Sequence, residues 1–320
     1  MKLVFAFSDY GINADEDGGT IFDQRLMTAL RGIAGVEVQG VPIRRVRDRR
    51  LPIWRAKISA DDLAQLAALR AEGASIILSH EALFGVEDAA LGIGAADMLI
   101  VHNFMPRFNF PGRPVLTGLY QAGSVRYFRE HLQRARSVYW LSQADFRVAA
   151  ARIPGNWQDK SLILAPPPRQ QKIGPRDFRM IHLDGTKGWR AKRLSLLTGK
   201  DMEMIRSRGY AVGDFASAAN RAFGIVTDRF AVGFKLKLMQ MIYARDVIAS
   251  FADLEEDVRQ VAPQYPFYRT VGSITEALDY FDSFEGSVPE ELLDEAVAHL
   301  QNYTWDYVAA QVVDKIKEIS

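Results

Sequence analysis

The chain has 320 residues, 48% of them hydrophobic and 25% charged, with a formal net charge of +1. Those proportions suit two globular cores of about 150 residues each and exclude long disorder; near-neutrality argues against bulk nucleic-acid binding. Cysteine is absent, which excludes disulfides, thiolate nucleophiles and cysteine-held zinc and agrees with a reducing compartment.

No run of about 18 uncharged apolar residues is present, so no spanning helix is expected. The opening MKLVFAFSDYG lacks the length and cleavage site of a signal peptide and reads as a first strand. A cytoplasmic chain, at most membrane-peripheral, is the expectation. Short apolar strands then alternate with longer helical patterns, the rhythm of parallel α/β domains. LVFAF (3–7) predicts a strand, TIFDQRLMTALRGI (20–33) an amphipathic helix opening after Gly18 and Gly19, and VEVQGVPI (36–43) a second strand. A helix over 60–72 carries Asp61 and Asp62 near its positive end. ASIILSH (74–80), ADMLIVHN (96–103), RPVLTGLY (113–120), SVYWLSQ (137–143) and SLILAP (161–166) read as strands short and apolar enough for a doubly covered sheet.

Pro166, Pro167 and Pro168 cannot continue a central strand or a helix, so they mark the hinge. After them FRMIHLDG (178–185), FGIVTD (223–228) and DVIAS (246–250) predict strands. Helices are predicted over about 189–206, 236–244, 273–282 and 289–301, and from Trp305 to Ile319. The expected organisation is a domain over 1–168, a second over 169–302 and a closing helix over 303–320.

The window FGIVTDRFAVGFKLKLMQMIYARDVIAS (223–250) carries the most chemistry. A strand ends near Thr227, a loop passes Gly233, and a helix begins near Lys235. Glycine lets a backbone approach a ligand closely, and a helix start offers unpaired N–H groups to an anion. Lys235 and Lys237 add positive charge there, and Lys237, Gln240, Met241 and Ala244 share one helix face. A cation beside a two-way hydrogen-bonding side chain suits a diphosphate next to a ribose.

This window resembles the donor-binding domain of GT-B glycosyltransferases, in which a glycine, a lysine and a Glu three residues later precede a small-residue helix and an apolar strand. Gly233, Lys237, Ala244 and Val247–Ser250 match, whereas Gln240 replaces the Glu and Val232 stands where a second acid is usual. The closing NYTWDYVAAQVVDKIKEI and the opening FSDYGINADEDGGTIFDQRLMTAL resemble that family's last helix and first β-loop-α unit. The resemblance implies an α/β chain of two Rossmann-like domains facing across a cleft, its last helix crossing back to the first domain. It implies that Lys237 contacts donor phosphate, that Gln240 contacts the ribose, and that Lys187 or Arg190 in DGTKGWRAKR reaches the diphosphate.

Other residues keep two readings. Gly18 and Gly19 form a phosphate nest or a turn before a helix. His102, at a strand end beside Asn103 and Arg107, is a general base or a satisfied structural histidine. His80 ends another strand, and His182 reads as core. Arg229 after Asp228 is a phosphate contact or half of an ion pair. Asp15, Glu16 and Asp17 form a weak metal motif and read as a solvated loop. RRVRDRRLPIWRAK (44–57), with Trp54, is a solvated hairpin or a contact with an anionic membrane.

The expected function is transfer of a sugar from a nucleotide-diphosphate donor to an acceptor hydroxyl of a glycan, glycolipid or protein, as in polysaccharide assembly. No obligatory metal or other cofactor and no nucleic-acid partner is expected. The alternatives are a catalytically degenerate GT-B protein that binds nucleotide or a partner, and a nucleotide-sugar epimerase.

Overall fold

The computed structural model describes residues 1–8, 18–46, 57–79, 96–107, 113–183, 197–214, 220–229 and 231–319. The chain divides into two compact units. The first comprises Met1–Pro166, Val232–Phe234 and Trp305–Ser320; the second comprises Pro167–Ala231 and Lys235–Thr304.

In the first unit, strands β1 (Lys2–Ser8), β2 (Glu37–Ile43), β5 (Ser75–Ser79), β6 (Met98–Val101), β7 (Ser137–Trp140) and β8 (Ser161–Ile163) form one sheet. Their order is β2-β1-β5-β6-β7-β8 and every pairing is parallel. The short β3 (Arg45–Val46) and β4 (Lys57–Ile58) pair antiparallel beside it. Helices α1 (Gly18–Arg31), α2 (Ala60–Ala71), α3 (Pro114–Arg134) and α4 (Gln143–Arg152) follow their strands, and α10 (Trp305–Ile319) completes the unit. The last helix buries Val308, Ala309, Val312, Val313 and Ile316, and Trp305 meets the Phe22 ring of α1 at 5.3 Å.

The second unit repeats the plan with β9 (Gly174–Leu183), β10 (Ala211–Asp214), β11 (Asn220–Val226), β12 (Val247–Ser250) and β13 (Tyr268–Thr270) in the order β10-β9-β11-β12-β13, all parallel. Its helices are α5 (Gly199–Ser207), α6 (Leu236–Ala244), α7 (Glu255–Val261), α8 (Ile274–Asp282) and α9 (Glu290–Val297), the last followed by a 3-10 turn, Ala298–Gln301. Phe223 of β11 stacks on Phe281 of α8 at 4.6 Å in the core.

One predicted element has the wrong type. RPVLTGLY is the start of α3, not a strand. Pro114 opens the helix at a position where its missing N–H costs nothing, and the 3.6-residue period appears only over the longer run, where Tyr120, Ser124, Tyr127, Phe128, His131 and Leu132 are buried. Helix α4, capped by Ser142, was not anticipated as a separate element, nor were β10, α7 and β13. Of the helix expected over 189–206, residues 189–196 lie outside the described residues, and α5 starts at Gly199 behind a Thr198–Asp201 capping box.

Asp97 sets the relation of β5 to β6. Its buried carboxylate accepts the Ile76 N–H at 2.7 Å and bonds Arg70 at 2.9 Å and Arg136 at 3.3 Å. Asp97→Ala should cost about 3–5 kcal/mol, because it leaves a buried N–H and a part-buried guanidinium uncompensated. Urea unfolding followed by far-UV circular dichroism measures this, and a loss below about 1 kcal/mol would show the contacts to be solvent-screened.

Candidate functional site

In an open parallel sheet the polar termini of the strands collect at the carboxyl edge, and ligands enter where the strand order reverses. That switch point lies between β9 and β11 in the second unit and between β1 and β5 in the first.

In the second unit β11 runs out into Thr227, Asp228 and Arg229. Helix α6 comes close because Gly224 of β11 has no side chain: a Cβ there would stand 2.8 Å from Met241 Sδ. The approach buries Lys237, whose Nζ bonds Asp228 Oδ2 at 2.8 Å with the two side chains 8% and 17% exposed. Burial alone would push the Asp228 carboxyl up. The charges of Lys235 and Lys237, with the Lys237 hydrogen bond, outweigh it and hold the group below the ordinary carboxylate value.

One turn along α6, Gln240 Oε1 accepts the Arg169 N–H at 3.1 Å. Among the described residues Gln240 Nε2 is buried without a hydrogen-bond partner, and so is Thr227 Oγ1. Such orphaned polar atoms are costly and call for a ligand or solvent. Lys235 occupies the N-cap position with no side-chain cap, and exposed Arg229 lies over the Phe251 ring at 5.5 Å. Among the described residues no cluster of His, Asp and Glu could hold a metal ion.

In the first unit, Asp23 of α1, Ser79 at the end of β5 and His102 just after β6 meet in the interior. His102 Nε2 is 3.0 Å from Asp23 Oδ1 and 3.1 Å from Ser79 Oγ, and Ser79 Oγ donates to Asp23 Oδ2 at 2.7 Å. Phe22 meets the imidazole edge-on at 5.1 Å. The segment Val232–Phe234 packs against the residues after His102. Gly233 has φ +68, and its N–H donates to Asp145 Oδ2 at 3.0 Å. The same oxygen accepts the Phe104 N–H at 2.7 Å, and Arg107 pairs with Asp145 Oδ1. Burial pushes the Asp145 carboxyl up even against the Arg107 charge and the two backbone donors.

No protein-family model matches the sequence, and no curated protein does. The structure does have relatives. It superposes on sucrose-phosphate synthase from Thermosynechococcus elongatus with a TM-score of 0.64 at 12% identity, over 100% of this chain and 99% of that one. The chain has the GT-B glycosyltransferase fold. Further GT-B neighbours are a glycosyltransferase from Rickettsia africae (TM-score 0.57, 11% identity, 99% and 98% covered) and Anabaena Alr3699/HepE solved with UDP (0.55, 12%, 100% and 98%).

Within that GT-B frame the residues singled out from sequence fall in several places. Lys235, Lys237, Gln240 and Arg229 gather around the end of β11 and the start of α6. His102 lies in the first unit at a strand end and is buried. Gly18 and Gly19 are the first two residues of α1, so the helix starts with the glycine pair and not after it. Lys187, Arg190, His80, Trp54 and Asp15 to Asp17 lie outside the described residues. Gly233 is close to chain rather than to open space: a Cβ would stand 2.0 Å from Asn103 Oδ1 and 2.6 Å from the His102 carbonyl oxygen.

Sequence reasoning missed Asp23, Ser79, Asp145 and the Asp228–Lys237 pairing. Asp23 had a signal, a lone acid on the stripe of Leu26 and Leu30 that α1 buries. The others depend on contacts between distant segments.

Two outcomes are expected. Gly233→Ala should shift the loop after His102, since no L side chain fits at that φ against a backbone oxygen, and should cost several kcal/mol; a crystal structure and a denaturation curve test this. Asp228→Asn should cost about 3–5 kcal/mol at neutral pH by leaving Lys237 buried without its counter-charge. Because the folded carboxyl sits below its unfolded value, that contribution is complete above the unfolded pKa and drains away as pH falls through the folded one. The gap between wild type and variant, measured by urea unfolding, should narrow below about pH 4.

Proposed function

We propose that the chain is a glycosyltransferase that draws its sugar from a nucleoside-diphosphate donor. The donor's phosphates would lie at the start of α6 beside Lys235, Lys237 and Arg229. The observation that carries this is Gln240 Nε2, a buried amide donor without an acceptor, one turn from a buried lysine at the carboxyl edge of a nucleotide-binding type of sheet. A nucleotide supplies acceptor oxygens for the amide and negative charge for the lysines. Support comes from the fold, since the Anabaena neighbour was solved with UDP and with UDP-glucose. Lys187 and Arg190 are proposed as further diphosphate contacts, and His102 as the group that receives the acceptor's proton. Gly18 and Gly19, at the positive end of α1, are proposed as phosphate contacts. Gly233 is proposed to serve donor binding by fixing the segment that leads into Lys235. The acceptor is proposed to be a hydroxyl of a glycan, glycolipid or protein.

A second reading has its own observation. Asp228 already neutralises Lys237, and position 240 carries no charge, which suits a protein that binds nucleotide without turning it over.

Thermal melting with UDP, GDP, ADP, CMP and dTDP separates these readings. One nucleoside diphosphate at a hundredfold excess over its Kd should add about 2.7 kcal/mol and raise Tm by several degrees, and Lys237→Ala should abolish the rise. Release of the same diphosphate from its sugar conjugate in the presence of acceptors establishes transfer. A stabilised protein that releases none is the binding protein of the second reading, and no stabilisation by any nucleotide removes the donor site.

A further inference from the structure

His102 Nε2 faces two oxygens, Asp23 Oδ1 at 3.0 Å and Ser79 Oγ at 3.1 Å. The single hydroxyl hydrogen of Ser79 is committed to Asp23 Oδ2 at 2.7 Å. A carboxylate only accepts, and a hydroxyl whose hydrogen is engaged elsewhere offers only lone pairs. Both neighbours therefore accept, and Nε2 must carry the hydrogen.

We propose that Asp23 and Ser79 are positioning residues that lock His102 in its Nε2–H tautomer, so that any proton the ring takes up arrives at Nδ1.

Three separate elements converge to make this arrangement, α1, β5 and the residue after β6. Asp23, Ser79 and His102 are 6%, 0% and 4% exposed, so water competes little for these hydrogen bonds. The roles are graded. Asp23 accepts from the ring and supplies the charge that would stabilise an imidazolium. Ser79 orients Asp23 by holding its second oxygen. Phe22, the residue before Asp23, meets the ring at 83° and limits its rotation.

The consequence for catalysis rests on the transferase reading. There the acceptor hydroxyl oxygen bonds to the anomeric carbon while its proton passes to His102 Nδ1. The bond from that carbon to the diphosphate oxygen breaks, and its electron pair leaves with the nucleoside diphosphate. Asp23 stays a carboxylate throughout and faces the imidazolium that forms.

Long-range 1H–15N spectra of the full chain labelled with 15N-histidine test the assignment, with the His102 signals identified by their loss in His102→Gln. At a pH where the ring is neutral, Nε2 should show the shift of a protonated, pyrrole-like nitrogen and Nδ1 that of a pyridine-like one. Ser79→Ala should keep that tautomer, because Asp23 still accepts. Asp23→Asn should mix the tautomers, because the amide can turn either its N–H or its oxygen to the ring, and should lower kcat about 10²-fold or more with the donor KM little changed. A pyridine-like Nε2 in the wild-type spectrum overturns the proposal, and that spectrum decides the matter even if Asp23→Asn does not fold. Should the protein turn over no nucleotide sugar, the transferase reading falls while the spectrum still reports the tautomer.

Discussion

A parallel strand covered on both faces has no side on which to put a polar residue, so the chemistry of such a sheet is driven to the ends of its strands. Strands β6, β7 and β12 are buried at every position, and β11 at its last five. The polar groups appear one residue beyond: His102 after Val101, Ser142 two residues past Trp140, Thr227 and Asp228 after Val226. Ser79 and Ser250 are the last residues of their own strands. Which of these ends bears on a ligand is then set by strand order, because only the reversal between β1 and β5, or between β9 and β11, opens a crevice for one.

The two ends of the second sheet treat charge differently. Toward the amino ends of β11 and β12 the ionic groups are committed to one another. Arg176 bonds Glu290 at 2.5 Å and the Arg245 carbonyl at 2.6 Å, Arg221 bonds Glu290 and Asp294, and Arg245 reaches Asp294. Asp246, just before β12, holds His182 Nδ1 at 2.8 Å and the Ala222 N–H at 2.9 Å. A network of this kind ties α9 to the sheet. Among the described residues buried polar atoms are left unsatisfied at both ends, Arg221 Nε within that network and Gln240 Nε2 and Thr227 Oγ1 at the carboxyl edge. Folding tolerates such a cost where function supplies the missing partner.

Much of this was legible in the residues, and the limit is physical. Helix α6 was read to the residue because its apolar run is bounded by a lysine-rich start and by Arg245 and Asp246. The central strands were found because unbroken apolar runs of four to seven residues admit few other structures, whereas the edge strands β10 and β13 carry no such run. Helix α3 was misread because its first turn, Pro-Val-Leu-Thr-Gly-Leu-Tyr, shows no helical stripe until Tyr127, Phe128 and His131 are included. The clustering of Asp23 with Ser79 and His102 spans 79 residues of sequence, and no local pattern encodes a contact of that separation. His102 could be nominated from its place at a strand end, and Asp23 shows as a lone acid on a buried stripe, but nothing local joins the two.

The pairing of Lys237 with Asp228 constrains how a donor could be held. In the proposed reading a diphosphate arriving at α6 meets Arg229, Lys235 and Lys237, and Asp228 offsets part of their charge through its attraction to Lys235 and its pair with Lys237. Full cancellation within the protein would leave nothing to attract the anion. Without Asp228, buried Lys237 would stand without a counter-charge and oppose folding. Asp228 therefore stabilises buried Lys237 at a modest cost in attraction, and Gln240, being neutral, adds no second negative charge beside it. A carboxylate at position 240 would bring a second negative charge beside Lys237 and weaken the attraction for an anion further. With Asp228 already paired to Lys237, the replacement of the expected Glu by Gln240 keeps a second carboxylate away from the same lysine.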